Sequence, residues 1–198
     1  LTDLRALPAA ALADLGAALA RVHRRRFDWW GAPFGGARRP LAAFHARLAA
    51  TLDALVARFF ARDAALAGAL PAYRAAALAL PAPESAALVM IDVDATQFLA
   101  AGGRITGLVD TDAYVVAPRA LDLIGYEYEL DAASAAAFAE GYRTILPLPD
   151  LRAVRPVYRY LYRLLEVQGA VPLEAWMAWP ALFDAHPGEG RVAHPPGG

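Results

Sequence analysis

The stretch VMIDVDATQFLAAGGRITGLVDTD, Val89 to Asp112, holds four of the thirteen aspartates of a 198-residue chain, set among valine, isoleucine, leucine and phenylalanine. A carboxylate among apolar neighbours is costly unless something pairs with it. The sequence around these aspartates indicates what does. ALVMID is a short apolar run suited to a buried strand. TQFLAA and RITGLVD are rich in strand formers and flank Gly102-Gly103, the mark of a β-hairpin. A hairpin joins its two outer ends, so Gln97, just before the first strand, and Asp110, at the end of the second, are expected side by side. Asp92 ends the preceding strand. Amide and carboxylate oxygens suit magnesium, a hard cation that shares phosphate oxygens. A further carboxylate, Asp92, can accept a proton from a hydroxyl nucleophile. Such a layout serves phosphoryl transfer, in which positioning and charge neutralisation carry most of the catalysis.

Outward from this segment the chain reads as helix. Leu12, Leu15, Leu19 and Val22 recur at helical spacing in a segment from Leu4 to about Arg24. FDWWGAPFGGARRP breaks that period and is read as a loop with aromatic anchors Phe27, Trp29 and Trp30. Helices are expected from about Leu41 to Arg62 and from about Asp63 to Leu80, the second stopped by Pro81 and Pro83. After Pro118 the helical pattern returns in ALDLIGYEYEL, AASAAAFAEGYRTIL and VRPVYRYLYRLLEVQG. The expected fold is mainly α with one small β-hairpin, in a single domain over residues 1–186 with a catalytic segment at 88–123. A glycine- and proline-rich tail over 187–198 is expected to be disordered.

Composition removes several functions. Cysteine is absent, which excludes disulfides, a thiolate nucleophile and cysteine metal ligands. The four histidines, His23, His45, His186 and His194, make no zinc spacing. A net charge of −1 argues against nucleic acid as a partner. No apolar run reaches the ~18 residues of a membrane span, and no secretory leader is read at the start, so a cytoplasmic protein is expected. All nineteen basic residues are arginine, and asparagine is absent too. No mechanism can take a lysine or an asparagine from this sequence.

The order Asp92, Gln97, hairpin, Asp110 and Asp122-Leu123 resembles the catalytic core of the aminoglycoside phosphotransferase and choline kinase group, which has a protein-kinase-like fold. The family pattern runs His-Gly-Asp, four residues, Asn, a hairpin, Ile-Asp-aromatic-Glu, and then Asp-Leu. Here Met90-Ile91-Asp92, Gln97, Val109-Asp110-Thr111-Asp112 and Asp122-Leu123 stand in those places. The segment ending at Val22-His23 resembles the first helix of the family's C-terminal lobe. The resemblance implies an ATP- and Mg2+-dependent transfer of a phosphoryl group to a hydroxyl of a small molecule. Asp92 would be the base and Gln97 and Asp110 the magnesium ligands. Asp122 would support the catalytic loop, although N-capping of a helix would also account for it. Asp112, Glu127 and Trp30 would face the substrate, and an acidic pocket would suit a cationic one. It also implies that the chain is the helical C-terminal lobe, without the N-terminal lobe that carries a glycine-rich loop and a phosphate-pairing lysine. Two departures stand out: Met90 replaces the histidine and Gln97 the asparagine. They support an alternative, a degenerate kinase-like module that binds without catalysing. Apolar surface left bare by a missing lobe would favour a homodimer.

Overall fold

A computed structural model describes residues 3–91, 93–109 and 114–184. After a short 3-10 turn over Leu4–Ala6, helix α1 runs Ala9–His23. The aromatic loop that follows is pinned by a two-residue ladder in which β1 (Trp29–Trp30) pairs antiparallel with β2 (Arg39–Pro40). Helix α2 covers Phe44–Leu55 and widens into a π-helical turn over Val56–Phe60. The continuous helix expected to Arg62 therefore ends early, because Asp63 caps the next one. Its carboxylate accepts the N–H groups of Ala65 and Leu66 and starts α3, Ala64–Ala79.

The β part follows. Strand β3 (Ala87–Val89) leads toward Asp92. A 3-10 turn over Ala95–Gln97 opens the hairpin of β4 (Phe98–Ala101) and β5 (Arg104–Leu108), with Gly102 and Gly103 both at positive φ in the turn. A strand not foreseen from sequence, β6 (Val115–Ala117), returns antiparallel to β3. Four helices finish the described chain: α4 Ala120–Glu129, α5 Ala132–Arg143, α6 Arg155–Leu165 and α7 Leu173–Met177. The tail expected from 187 lies outside the described residues.

One core joins these elements. Leu12, Leu15 and Leu19 of α1 meet Phe138 and Tyr142 of α5, and Leu123 and Ile124 of α4 sit at its centre. Helices α1 and α5 lie against each other at glycine. A Cβ on Gly16 would stand 2.0 Å from the carbonyl oxygen of Phe138, and one on Gly141 would stand 1.9 Å from that of Ala13. Only glycine permits backbones this close. The contact holds the C-terminal end of α1, with His23, against α4 and the loop after β3. Among the described residues, no helix is long and apolar enough to cross a membrane.

Candidate active site

The loop after β3 is held from below by one carboxylate. Asp122, wholly buried, lies in the first turn of α4, but it does not cap that helix; the N-cap position is Arg119. Its Oδ1 instead accepts the backbone N–H groups of Met90 at 2.8 Å and Ile91 at 3.2 Å. Its Oδ2 lies 3.1 Å from Nε2 of His23, itself buried. A carboxylate can only accept, so Nε2 carries the proton and Nδ1 is left as an acceptor for the Tyr142 hydroxyl, 3.0 Å away. Arg119 Nη1 in turn donates to that hydroxyl. Donation thus runs from Arg119, at the N-cap of α4, through Tyr142 of α5 and His23 of α1 to the Asp122 carboxylate, which also accepts from the backbone just before Asp92.

That backbone is strained. Ile91 has φ 65°, the left-handed region, which a β-branched residue avoids. Strain of this kind persists only where the surroundings over-determine it, and it clusters at functional sites. Here the two N–H groups on Asp122, together with the packing of Ile91 against the core, supply the constraint. Met90 is buried beneath the loop, and its sulfur accepts from the Tyr126 hydroxyl at 3.8 Å. Burial pushes that tyrosine well above its usual pKa, with the charge of Asp122 adding to the effect.

Gln97 is buried at the end of the 3-10 turn. Asp94 starts the turn, accepting from the N–H and the hydroxyl of Thr96, and these bonds hold its carboxyl below the usual range. The hairpin ladder continues one step past β4 and β5, because Val109 N–H donates to the Gln97 carbonyl at 2.9 Å. Gln97 therefore lies beside the residue that precedes Asp110. Asp92, Asp110 and Asp112 lie outside the described residues. Among the described residues, no three His, Cys, Asp or Glu side chains gather as a metal site. The donor types nevertheless fit magnesium: a buried carboxamide, laddered to the neighbour of a carboxylate, offers the oxygen ligands this ion prefers.

The expectation for Glu127 is corrected. Asp122 and Glu127 are five residues apart on α4 and so point to different sides of the helix. Asp122 meets the loop; Glu127 meets α6. There Arg155 and Arg159, one turn apart, bind both its carboxylate oxygens at 2.7–3.3 Å. The N–H groups of Leu182 and Phe183 complete the set. Glu127 is a wholly buried anchor for the C-terminal segment, with no place in a substrate pocket. Trp30 does border a cleft, of about 660 Å³, whose wall also includes Ile91 and Tyr114. A second cleft of about 620 Å³ lies beside His23, His45 and Arg119. His45 is buried, its Nε2 bonded to the Tyr158 hydroxyl, while among the described residues Nδ1 makes no hydrogen bond of good geometry and only lies near the Pro81 and Leu80 carbonyls. His23, Tyr142 and Arg119 were not legible as a unit. They are separated by up to 119 residues, and His23 reads locally as a helix end favourable to the dipole.

No protein-family model matches the chain, and no curated protein matches it. Solved structures do. The macrolide 2'-phosphotransferase MphH of Brachybacterium faecium, as apoenzyme, superimposes with a TM-score of 0.57 at 21% identity, over 90% of this chain and 62% of that one. The spectinomycin phosphotransferase APH(9)-Ia, in complex with ADP and spectinomycin, gives 0.53 at 15% identity, over 82% of this chain and 54% of that one. The fold is that of these phosphotransferases. The aminoglycoside-phosphotransferase-like, kinase-type fold expected from the Asp92–Asp122 motif is thus present, and the chain spans less than two thirds of the length of either structure.

Proposed function

We propose that the chain is the catalytic, C-terminal-lobe part of an ATP-dependent phosphotransferase that phosphorylates a hydroxyl of a small molecule. The observation that carries this reading is the Met90-Ile91 turn, strained and tied by two hydrogen bonds to a buried carboxylate, immediately before Asp92. A fixed backbone immediately before Asp92 supports assigning that residue as the base, since a base in phosphoryl transfer must be held in a set direction. Asp92 accepts the proton of the acceptor hydroxyl as its oxygen bonds to the γ-phosphorus of ATP and the bond to the β–γ bridging oxygen breaks. Gln97 and Asp110 would hold Mg2+, which neutralises charge on the phosphate oxygens when bound. Asp122, through His23, Tyr142 and Arg119, acts on positioning only. The sequence has no lysine, so the phosphate-pairing lysine of a kinase-like fold is assigned to the part of the protein beyond these residues.

The test uses the intact protein, ATP, Mg2+ and a panel of hydroxyl compounds. Asp92→Asn and Asp110→Ala should each lower transfer by roughly a thousandfold or more; turnover at the parent rate in either variant refutes the assignment. One observation favours the second reading, a non-catalytic binding module: Met90, with its thioether against Tyr126, stands where the family has histidine. Calorimetry separates the two, since a module without phosphotransfer predicts no magnesium-dependent nucleotide binding at millimolar ligand.

A further inference from the structure

Ile91 sits in a conformation that its own side chain resists. Its φ of 65° is free to glycine, whereas a β-branched side chain there crowds the backbone. The two hydrogen bonds that hold this turn, from the Met90 and Ile91 N–H groups to Asp122, are backbone donations. A glycine at position 91 would make both. The backbone therefore gives no reason for isoleucine, and the reason lies in what the side chain touches. Part of that is the core, against which the partly buried Ile91 packs. The rest is the cleft of about 660 Å³, whose border Ile91 shares with Trp30, Phe44, Leu48 and Tyr114. In sequence Ile91 immediately precedes Asp92.

We infer that Ile91 is a specificity-determining residue: its side chain is an apolar contact for the carbon framework of the acceptor, next to the hydroxyl that Asp92 deprotonates. This rests on reading Asp92 as the base and the cleft beside it as the acceptor side of a phosphotransferase. Backbone strain at a non-glycine residue clusters where a site has a use for it, and a contact at the reacting centre is such a use. An acceptor with a ring or branched alkyl group beside its hydroxyl covers the isoleucine side chain and removes apolar surface from water. A polyol, whose neighbouring carbon carries a further hydroxyl, lays a polar group against a side chain that offers it no hydrogen bond. Selection at this point comes from shape and apolarity, and it holds whatever the charge of the residues around it.

Binding to the intact protein is measured by calorimetry without nucleotide, using two uncharged probes: 2-(1-naphthyl)ethanol, and the 1,2-diol that adds a hydroxyl on the carbon beside the first. The parent should bind the alcohol roughly tenfold tighter than the diol. Ile91→Gly should bring the two within about twofold of each other, and Ile91→Val should keep the preference. Should the glycine variant fail to fold, Ile91→Thr decides, because it keeps the branched shape, puts a hydroxyl in the contact and should also lose the preference. Melting curves check the strain: Ile91→Gly should melt roughly 2–4 °C above Ile91→Ala, since both lose the side chain and only glycine takes a φ of 65° freely. No preference in the parent, a preference kept by both the glycine and threonine variants, an alanine variant as stable as the glycine one, or no binding of either probe at millimolar concentration overturns the inference. If the parent shows no preference while Asp92→Asn abolishes turnover, the inference falls and phosphoryl transfer stands. If the preference depends on Ile91 while Asp92 and Asp110 are dispensable for turnover, the enzymatic reading falls and the apolar contact stands.

Discussion

Replacing Asp122 tests the support of the loop directly. Asp122→Ala removes the acceptor for three donors, the buried Met90 N–H and His23 Nε2–H and the partly buried Ile91 N–H. A buried donor left without a partner costs about 1–3 kcal/mol. Water entering the vacated space recovers part of this, so we expect a net loss of about 3–5 kcal/mol. At about 2–4 °C per kcal/mol for a chain of this size, the melting temperature falls by roughly 6–20 °C. Asp122→Asn is milder. The amide oxygen keeps Met90 and Ile91, while the amide N–H donates to His23 Nε2 and turns the imidazole to its other tautomer. His23 then donates to the Tyr142 hydroxyl, which already accepts from Arg119, and the hydroxyl proton loses its acceptor. One lost bond and two weakened ones predict about 2 kcal/mol. Urea titration gives both numbers, and hydrogen exchange at the Ile91 amide gives the local one. That amide should exchange far faster in the alanine variant at matched global stability. A loss under about 1 kcal/mol for Asp122→Ala, or unchanged exchange at Ile91, would refute the claim that this carboxylate holds the loop.

Other outcomes follow from the same geometry. Glu127→Ala leaves Arg155 and Arg159 facing each other in the core and should cost about 3–5 kcal/mol, with early proteolysis near residues 177–184, which the pair anchors; parent-like stability would show the network to be idle. Gly141→Ala drives a methyl into the Ala13 carbonyl and should cost about 3 kcal/mol or more, while Gly68→Ala, in open space on α3, should stabilise by up to about 1 kcal/mol; equal effects at the two sites would contradict the close approach of α1 and α5. His45 titrates below the ordinary histidine value, mainly because it is buried, against a smaller upward pull from the Leu80 and Pro81 carbonyls. The unfolded chain then takes up the proton first, so this residue lowers stability as pH falls through about 6.5. His45→Phe should flatten the urea midpoint between about pH 7 and 5 relative to the parent, and parallel curves would remove His45 as the cause.

Several elements were legible because their signals are local. The hairpin followed from strand formers on either side of Gly102-Gly103, and α3 from Asp63 before an alanine-rich run, since turn and cap chemistry act within a few residues. The order of Asp92, Gln97, Asp110 and Asp122 reads as a motif along the chain, and of these residues the structure describes Gln97 and Asp122. The ladder from Val109 to Gln97 is the natural extension of that hairpin. What escaped was anything set by the angular position of a side chain against a distant partner. Glu127 reads as a pocket acid in a string of aromatics; its burial depends on Arg155 and Arg159 arriving from another helix. His23 reads as a helix end, and its bond to Asp122 spans 99 residues. Strand β6 was missed because three residues carry too little periodicity to be seen.

By itself the amino-acid sequence determined that these 198 residues are mainly helical with one β-hairpin, that they hold no cysteine, lysine or asparagine, and that their oxygen donors follow an order resembling that of a phosphotransferase core. Tertiary structure alone decided that Asp122 serves the loop while Glu127 serves the core, and that Ile91 is held in a left-handed conformation. The division has one physical cause. Secondary structure is set by neighbours along the chain, whereas the partner of a buried charge is whatever the packing of helices brings within about 3 Å, and the chain does not announce that in any single segment.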